Sequence, residues 1–329
     1  MKVVITGGLG FLGLRLARTL LDRGTLTGAS GEQEPIDELI LFDAVVPEQP
    51  PAGLDDERVE MVAGDVSDGE TVRALVAGDS LSVFHFASVV SAGAEQDFDL
   101  ALAVNLTGGL NVLDACRAAP GLPRLVFTSS IAVYGGNALP ETISDTTKIT
   151  PQGTYGVTKV INEHLVADYT RKGWLDGRGG RPPTVIVRPG KPNKAASGFA
   201  SGLFREPLAG IDHALPVSRE TRIVLGGYRT IVESLVALHE VPSAALGDDR
   251  TINLPSFSAT AGEMVAALER VGAGRNLGAV IDTPDEAIQR LVGSWPAYAK
   301  ADRAAALGLP RNPPLDEVVR QYIEDYVDR

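Results

Sequence analysis

The first 190 residues alternate short, unbroken apolar runs with stretches of helical period. The runs are KVVITG (2–7), ELILFD (38–43), VEMVAGD (59–65), SVFHFAS (82–88), RLVFTSS (124–130) and TVIVRPG (184–190). Runs of this length, rich in Val, Ile, Leu and Phe, predict strands covered on both faces. Between them the periodicity predicts helices over about 11–23, 69–77, 98–119 and 154–172. The β-α alternation predicts an α/β fold with a Rossmann-type, doubly wound parallel sheet. TGASGEQEP (27–35) and DGRGGRPP (176–183) read as solvated connections. After residue 190 helices dominate, over about 228–240, 260–271, 284–293, 299–307 and 315–327, with one clear strand, TINLP (251–255). This divides the chain into residues 1–189, with parts of 225–255 returning to them, and a smaller, mostly helical substrate-binding domain over 190–329.

Charge and composition narrow the chemistry. A net charge of −12 disfavours nucleic acid and anionic membrane surfaces as partners. No apolar run reaches the length of a membrane span, and the N-terminus lacks the pattern of a signal peptide. The single cysteine, Cys116, forms no internal disulfide and fits a reducing cytoplasm. The four histidines and Cys116 have no metal-ligand spacing.

TGGLGFLG (6–13) follows the first strand and opens a helix. Gly7, Gly10 and Gly13 would let backbone approach a pyrophosphate, and the helix start at Phe11 and Leu12 would face it. Asp43 ends the second strand, where a carboxylate bonds both adenosine ribose hydroxyls and repels a 2′-phosphate, so the expected cofactor is NAD. Asp65 and Val66, in AGDV, would meet the adenine. Ala87, in HFAS, is small enough to let the cofactor lie close, whereas His85 reads as a packed strand residue. Ser130 stands at the end of the fifth strand. TYGVTK (154–159) places Tyr155 and Lys159 four positions apart, on one face of the next helix.

In order and spacing, TGGLGFLG, AGDV, HFAS, TSSIAVYG and YGVTK resemble the extended short-chain dehydrogenase/reductases. The resemblance spans roughly residues 1–190. It implies that Tyr155 is the acid/base, that Lys159 activates it and anchors the nicotinamide ribose, and that Ser130 orients the substrate. It also implies that Asn105 supports the site, that Pro189 contacts the cofactor, and that the helices near 98–119 and 154–172 form a homodimer face. An ordinary phenol, with a pKa near 10, is protonated at neutral pH. The Lys159 ammonium and a positive nicotinamide ring would favour phenolate.

Two segments depart from the nucleotide-sugar enzymes of that family. VRPGKPNKAASGF (187–199) gathers Arg188, Lys191 and Lys194, a candidate pocket for a carboxylate. YRTIV (228–232) keeps Arg229 without the usual acidic neighbour. Arg229 would meet a substrate anion or pair with Glu233 on its own helix. Ser88 and Ser91 could donate to substrate hydroxyls. The combination resembles the branch of the family that oxidises a four-carbon sugar acid, D-erythronate, at C2. The alternatives are a nucleotide-sugar epimerase or dehydratase, a uronate dehydrogenase, or a cofactor-sensing protein without chemistry.

Overall fold

The computed structural model describes residues 1–190 and 197–328. Its strands, in chain order, begin with β1 (Lys2–Thr6), β2 (Glu38–Asp43), β3 (Val59–Ala63), β4 (Leu81–His85), β5 (Arg124–Thr128) and β6 (Asp176–Arg181). A second sheet contains β7 (Thr184–Ile186), β8 (Arg222–Gly227) and β10 (Phe257–Thr260), while β9 (Thr251–Asn253) returns to the first. The main sheet runs β9-β6-β5-β4-β1-β2-β3, and all its pairings are parallel. The chain winds outward from β1 to β3, then crosses back to β4 and winds the other way. The crevice at the carboxyl ends of β1 and β4 is therefore the switch point, where doubly wound sheets bind ligands.

The period of two along each strand divides the core. Val3, Ile5, Leu39 and Leu41 face one cluster with Leu16 and Leu20 of α1 (Phe11–Arg23). Val4, Ile40, Phe42, Val83 and Phe127 face the other. The second sheet has its own cluster around Leu203, Phe204, Tyr228 and Met264.

Three segments depart from the sequence reading. DGRGGR is not a solvated connection but β6, buried along its whole length between β5 and β9. A polar strand can occupy that position because its charges have partners. Asp176 pairs with Arg124, Arg178 and Arg250, and Arg178 Nη1 donates to the carbonyls of Leu238, His239 and Val241. TVIVRPG does not join the main sheet. Pro182 and Pro183 lack the N–H groups a central strand needs, and Thr184–Ile186 instead pairs in parallel with β8. Residues 27–35 also hold structure: Thr25–Thr27 pairs with Gln33–Pro35, and Thr27 Oγ1 and Gln33 Nε2 donate to Glu240 at 2.8 and 2.6 Å.

Two buried imidazoles link stability to pH. His85 bonds Thr6 Oγ1 at 2.6 Å and His239 bonds Ser82 Oγ at 2.8 Å. Burial, with Lys159 nearby, lowers His85 from 6.5 to about 3. Burial lowers His239 from 6.5 to about 4, against the hydrogen bond its Nδ1 gives to Glu240. Both are neutral when folded, so the unfolded chain binds more protons below pH 6.5. Their contribution is complete above that pH and is lost as pH falls through 6.5 toward 4. Urea titrations across that range should show stability falling by about 1.4 kcal/mol per pH unit for each imidazole. His239→Gln should flatten the slope.

Candidate active site

The loop after β1 is shaped for close approach. Gly7 has φ +69°, and a Cβ there would lie 2.8 Å from the Ala87 nitrogen, beyond the end of β4. Only glycine lets the two backbones meet in this way. Gly10 precedes α1 without any side-chain cap, and the first turn of α1 contains no acidic residue. The N–H groups at Phe11, Leu12 and Gly13 thus point, uncapped, toward the crevice, with the dipole favouring an anion. Asp43 Oδ2 accepts from the Leu9 N–H at 3.1 Å and Oδ1 from Ala44 at 2.8 Å, which fixes a half-buried carboxylate beside the loop. Asp65 Oδ1 accepts from the Ser67 N–H at 2.8 Å, and Asn111 Nδ2 donates to the Val66 carbonyl at 3.0 Å. A cradle that a Cβ would fill, an uncapped helix start and a strand-end carboxylate fit a dinucleotide with an unphosphorylated ribose. Asp43→Ala should raise the Kd for NAD about 10- to 100-fold, the range for lost charge-assisted hydrogen bonds, and narrow the preference over NADP. Fluorescence titration with both cofactors reads this directly.

The predicted helix over 98–119 is helical throughout but changes register. It runs through Phe98–Ala101, a π-helical segment Leu102–Thr107, and α2 (Gly108–Ala118). The widened turn admits Asn162, whose Nδ2 donates to the Asn105 carbonyl at 2.9 Å. A Cβ at Gly109 would lie 2.0 Å from Asn162 Oδ1, so that position needs glycine. Asn105 Oδ1 accepts from the Val89 N–H at 2.7 Å and from Ser88 Oγ at 3.1 Å. Asn105 Nδ2 donates to the Val89 carbonyl at 3.0 Å and to Thr158 Oγ1 at 3.3 Å. Asn105 therefore ties the chain beyond β4 to α3 (Thr154–Arg171). Ser91 opens the short helix Ser91–Gln96, whose Glu95 Oε1 accepts from the Thr154 N–H at 2.8 Å, at the start of α3.

Tyr155, Lys159 and Ser130 come together as their spacing predicts. Ser130 stands beside the Tyr155 phenol and acts to lower its pKa. Lys159 Nζ donates to the Thr128 carbonyl at 2.8 Å and lies 5.4 Å from the centre of the Tyr155 ring. The electrostatics differ from expectation. Burial raises the Tyr155 phenol above its usual value, and the Ser130 hydrogen bond only partly opposes this. Burial also pushes Lys159 down to about 7, against the pull of Glu163. The protein alone thus does not make the phenol acidic, because a desolvated ammonium half lost at neutral pH is a weak counter-charge. His85, neutral and stacked 5.9 Å from Phe127, adds no charge there.

The remaining expected residues scatter. Pro189 is half-buried, and its neighbour Arg188 donates its backbone N–H to Ser201 Oγ at 3.0 Å. Lys191 and Lys194 lie outside the described residues. Arg229 is a correction. It does not pair with Glu233: its Nε donates to Asp325 at 2.9 Å and its Nη2 to Glu324 at 2.7 Å. Asp325 also accepts from Tyr228 at 2.5 Å and Arg15 at 2.9 Å, so the guanidinium belongs to a cluster binding the C-terminal segment to α1. Sequence reasoning missed Ser129, Glu163 and Arg181, which lie beside Ser130 and Lys159. Extending the four-residue spacing from Tyr155 through Lys159 would have reached Glu163. Among the described residues no group of three His, Cys, Asp or Glu side chains could hold a metal ion. No helix among them is long and apolar enough to cross a membrane.

Residues 3–219 match the NAD dependent epimerase/dehydratase family. The chain is 48% identical over 325 residues to a D-erythronate dehydrogenase from Cupriavidus necator, covering 99% of this chain and 98% of that protein. It is 42% identical to a D-erythronate dehydrogenase from Haemophilus influenzae, covering 98% of this chain and 99% of that protein. A solved structure of a nucleoside-diphosphate-sugar epimerase from Agrobacterium tumefaciens superposes with a TM-score of 0.90 at 36% identity, covering 100% of this chain and 95% of that one.

Proposed function

The chain belongs to the NAD dependent epimerase/dehydratase family, and on that premise we infer that it oxidises the C2 hydroxyl of a four-carbon sugar acid, D-erythronate, to 2-dehydro-D-erythronate. The observation that carries this reading is full-length similarity to two D-erythronate dehydrogenases, together with the Ser130–Tyr155–Lys159 group. Gly7, Gly10, Phe11, Leu12 and Gly13 would hold the pyrophosphate of NAD, and Asp43 the adenosine ribose. Asp65, Val66, Ala87, Asn105 and Pro189 would line the rest of it, with Lys159 at the nicotinamide ribose. Bound NAD supplies a hydride acceptor and a positively charged ring.

Ser130 orients the substrate hydroxyl toward Tyr155, and Tyr155 takes its proton. Lys159, held on the Thr128 carbonyl, sits beside the phenol ring. Ser88 and Ser91 are assigned to the other hydroxyls, and Lys191 and Lys194 to the carboxylate. Arg229 is left out, since Asp325 and Glu324 hold it. In this reading residues 1–189, with the returning 225–255 segment, serve the cofactor and 190–329 the substrate. The buried Cys116 accords with a cytoplasmic location.

A homodimer completes the reading. Phe98 is 58% exposed and Val157 42%, on the two helices where the family resemblance places a dimer face. Sedimentation should give a dimer, and Phe98→Asp should give a monomer. The test of function is NAD reduction, followed by absorbance, with four-carbon aldonates and with UDP-sugars. Steady release of NADH with D-erythronate supports the reading. Turnover of a UDP-sugar with the cofactor retained would establish an epimerase instead.

A further inference from the structure

Three consecutive residues beyond or at the end of β5 each touch one of three residues stacked at four-residue spacing on α3. Ser130 stands beside the Tyr155 phenol, Thr128 accepts from Lys159, and Ser129 Oγ donates to Glu163. Four residues of helix rise about 6 Å, so Tyr155, Lys159 and Glu163 form one column. The first two contacts involve the reacting machinery. The third ends in a buried ion pair with no reacting group.

We propose that Glu163, locked by Arg181, is a positioning residue that clamps Ser129 and thereby fixes the adjoining partners of Tyr155 and Lys159. The proposal rests on the catalytic assignment above. Glu163 and Arg181 are both almost fully buried. Arg181 Nε donates to Oε1 at 2.8 Å and Nη2 to Oε2 at 2.7 Å, a bidentate pair with fixed geometry. The third guanidinium nitrogen, Nη1, donates to Tyr134 OH at 2.8 Å, and Tyr134 OH donates to Asn253 Oδ1 at 2.9 Å. The clamp is therefore anchored through β6 to β9. A buried pair of this kind gives more in defined geometry than in stability.

Backbone bonds hold this segment on either side of Ser130, and the side-chain clamp adds to them. Beyond β5, Ser129 N donates to the Gly180 carbonyl and Ile131 N to the Pro182 carbonyl. Regular pairing along β5 and β6 ends at Thr128, so Ser130 has no strand ladder of its own. The charged or titratable groups facing Lys159 are Glu163 on its own helix, Tyr155 one turn before it, and the neutral His85 from β4. Arg181 from β6 faces Glu163.

The test uses Ser129→Ala, which removes the clamped hydroxyl and leaves the ion pair, and Glu163→Gln, which removes the charge. In Ser129→Ala, kcat should fall at least tenfold, with the KM for the sugar acid and the Kd for NAD within threefold of the unsubstituted enzyme. A second readout needs no turnover. The Tyr155 phenol, titrated by absorbance in the NAD complex as the difference from Tyr155→Phe, should ionise at higher pH in both variants. An unchanged kcat, or a loss confined to KM, overturns the proposal. If the unsubstituted enzyme oxidises no sugar acid but the phenol titration moves, the substrate reading fails and the clamp stands. If the titration does not move in Ser129→Ala, the clamp fails whatever the substrate.

Discussion

Tyr155→Phe lowers kcat about 10³-fold, within the range of roughly 10²–10⁴ for loss of a general acid/base, while NAD binds with nearly its normal Kd. The ring that packs 5.4 Å from Lys159 remains, so the substitution removes one oxygen and little structure. The phosphate loop and Asp43 are untouched. Initial rates with D-erythronate and a parallel NAD titration separate the two effects. The variant should also keep its thermal midpoint, because the Ser130 beside the phenol is only half-buried. A variant retaining a third of the activity would remove Tyr155 from the chemistry.

Asp176→Asn destabilises the fold by about 3–5 kcal/mol, the usual cost of breaking a buried ion pair by deleting one partner. Burial pushes the Asp176 carboxyl up, but Arg178, Ser243 and Arg124 pull it further down, so it stays ionised. Arg178 Nη2 and Arg250 Nη2 both pair with it, the latter at 2.7 Å, and Arg124 Nε lies 3.2 Å away. Removing the charge leaves three guanidiniums crowded in the interior with no anion among them. Urea unfolding at neutral pH measures the loss. The kcat of the remaining folded molecules should stay within about twofold by ordinary variation between distant sites. Asp176 begins β6 and Arg124 begins β5, at the end of the sheet opposite Ser130. A loss near zero would mean that desolvation had already cancelled the attraction within this cluster.

The same cluster explains what the sequence concealed. β1, β2, β4 and β5 were legible because burial was achieved largely with Val, Ile, Leu and Phe, and such runs announce themselves, whereas β3, at the edge of the sheet, is only partly buried. β6 achieves burial with Asp, Gly and Arg, a composition indistinguishable from a surface loop until Arg124, Arg250 and Glu163 are seen around it. TVIVRPG showed the opposite effect. Its apolar letters predict a strand correctly but not which sheet, and the two preceding prolines held that information. Local spacing brought Tyr155 and Lys159 together, since one helix fixes it. Arg229 was misread because its partner, Asp325, lies 96 positions later in the chain. The π-helical segment at Leu102–Thr107 left no mark on the apolar period, yet it aims Asn105 at Val89.

Deuterium transfer tests the central claim most directly. D-Erythronate labelled at C2 is incubated with the enzyme and NAD, and the NADH and the acid are recovered and weighed by mass spectrometry. Oxidation at C2 predicts one deuterium in each NADH released and none in the 2-dehydro acid. Unlabelled NADH, or label retained in the acid, would contradict it.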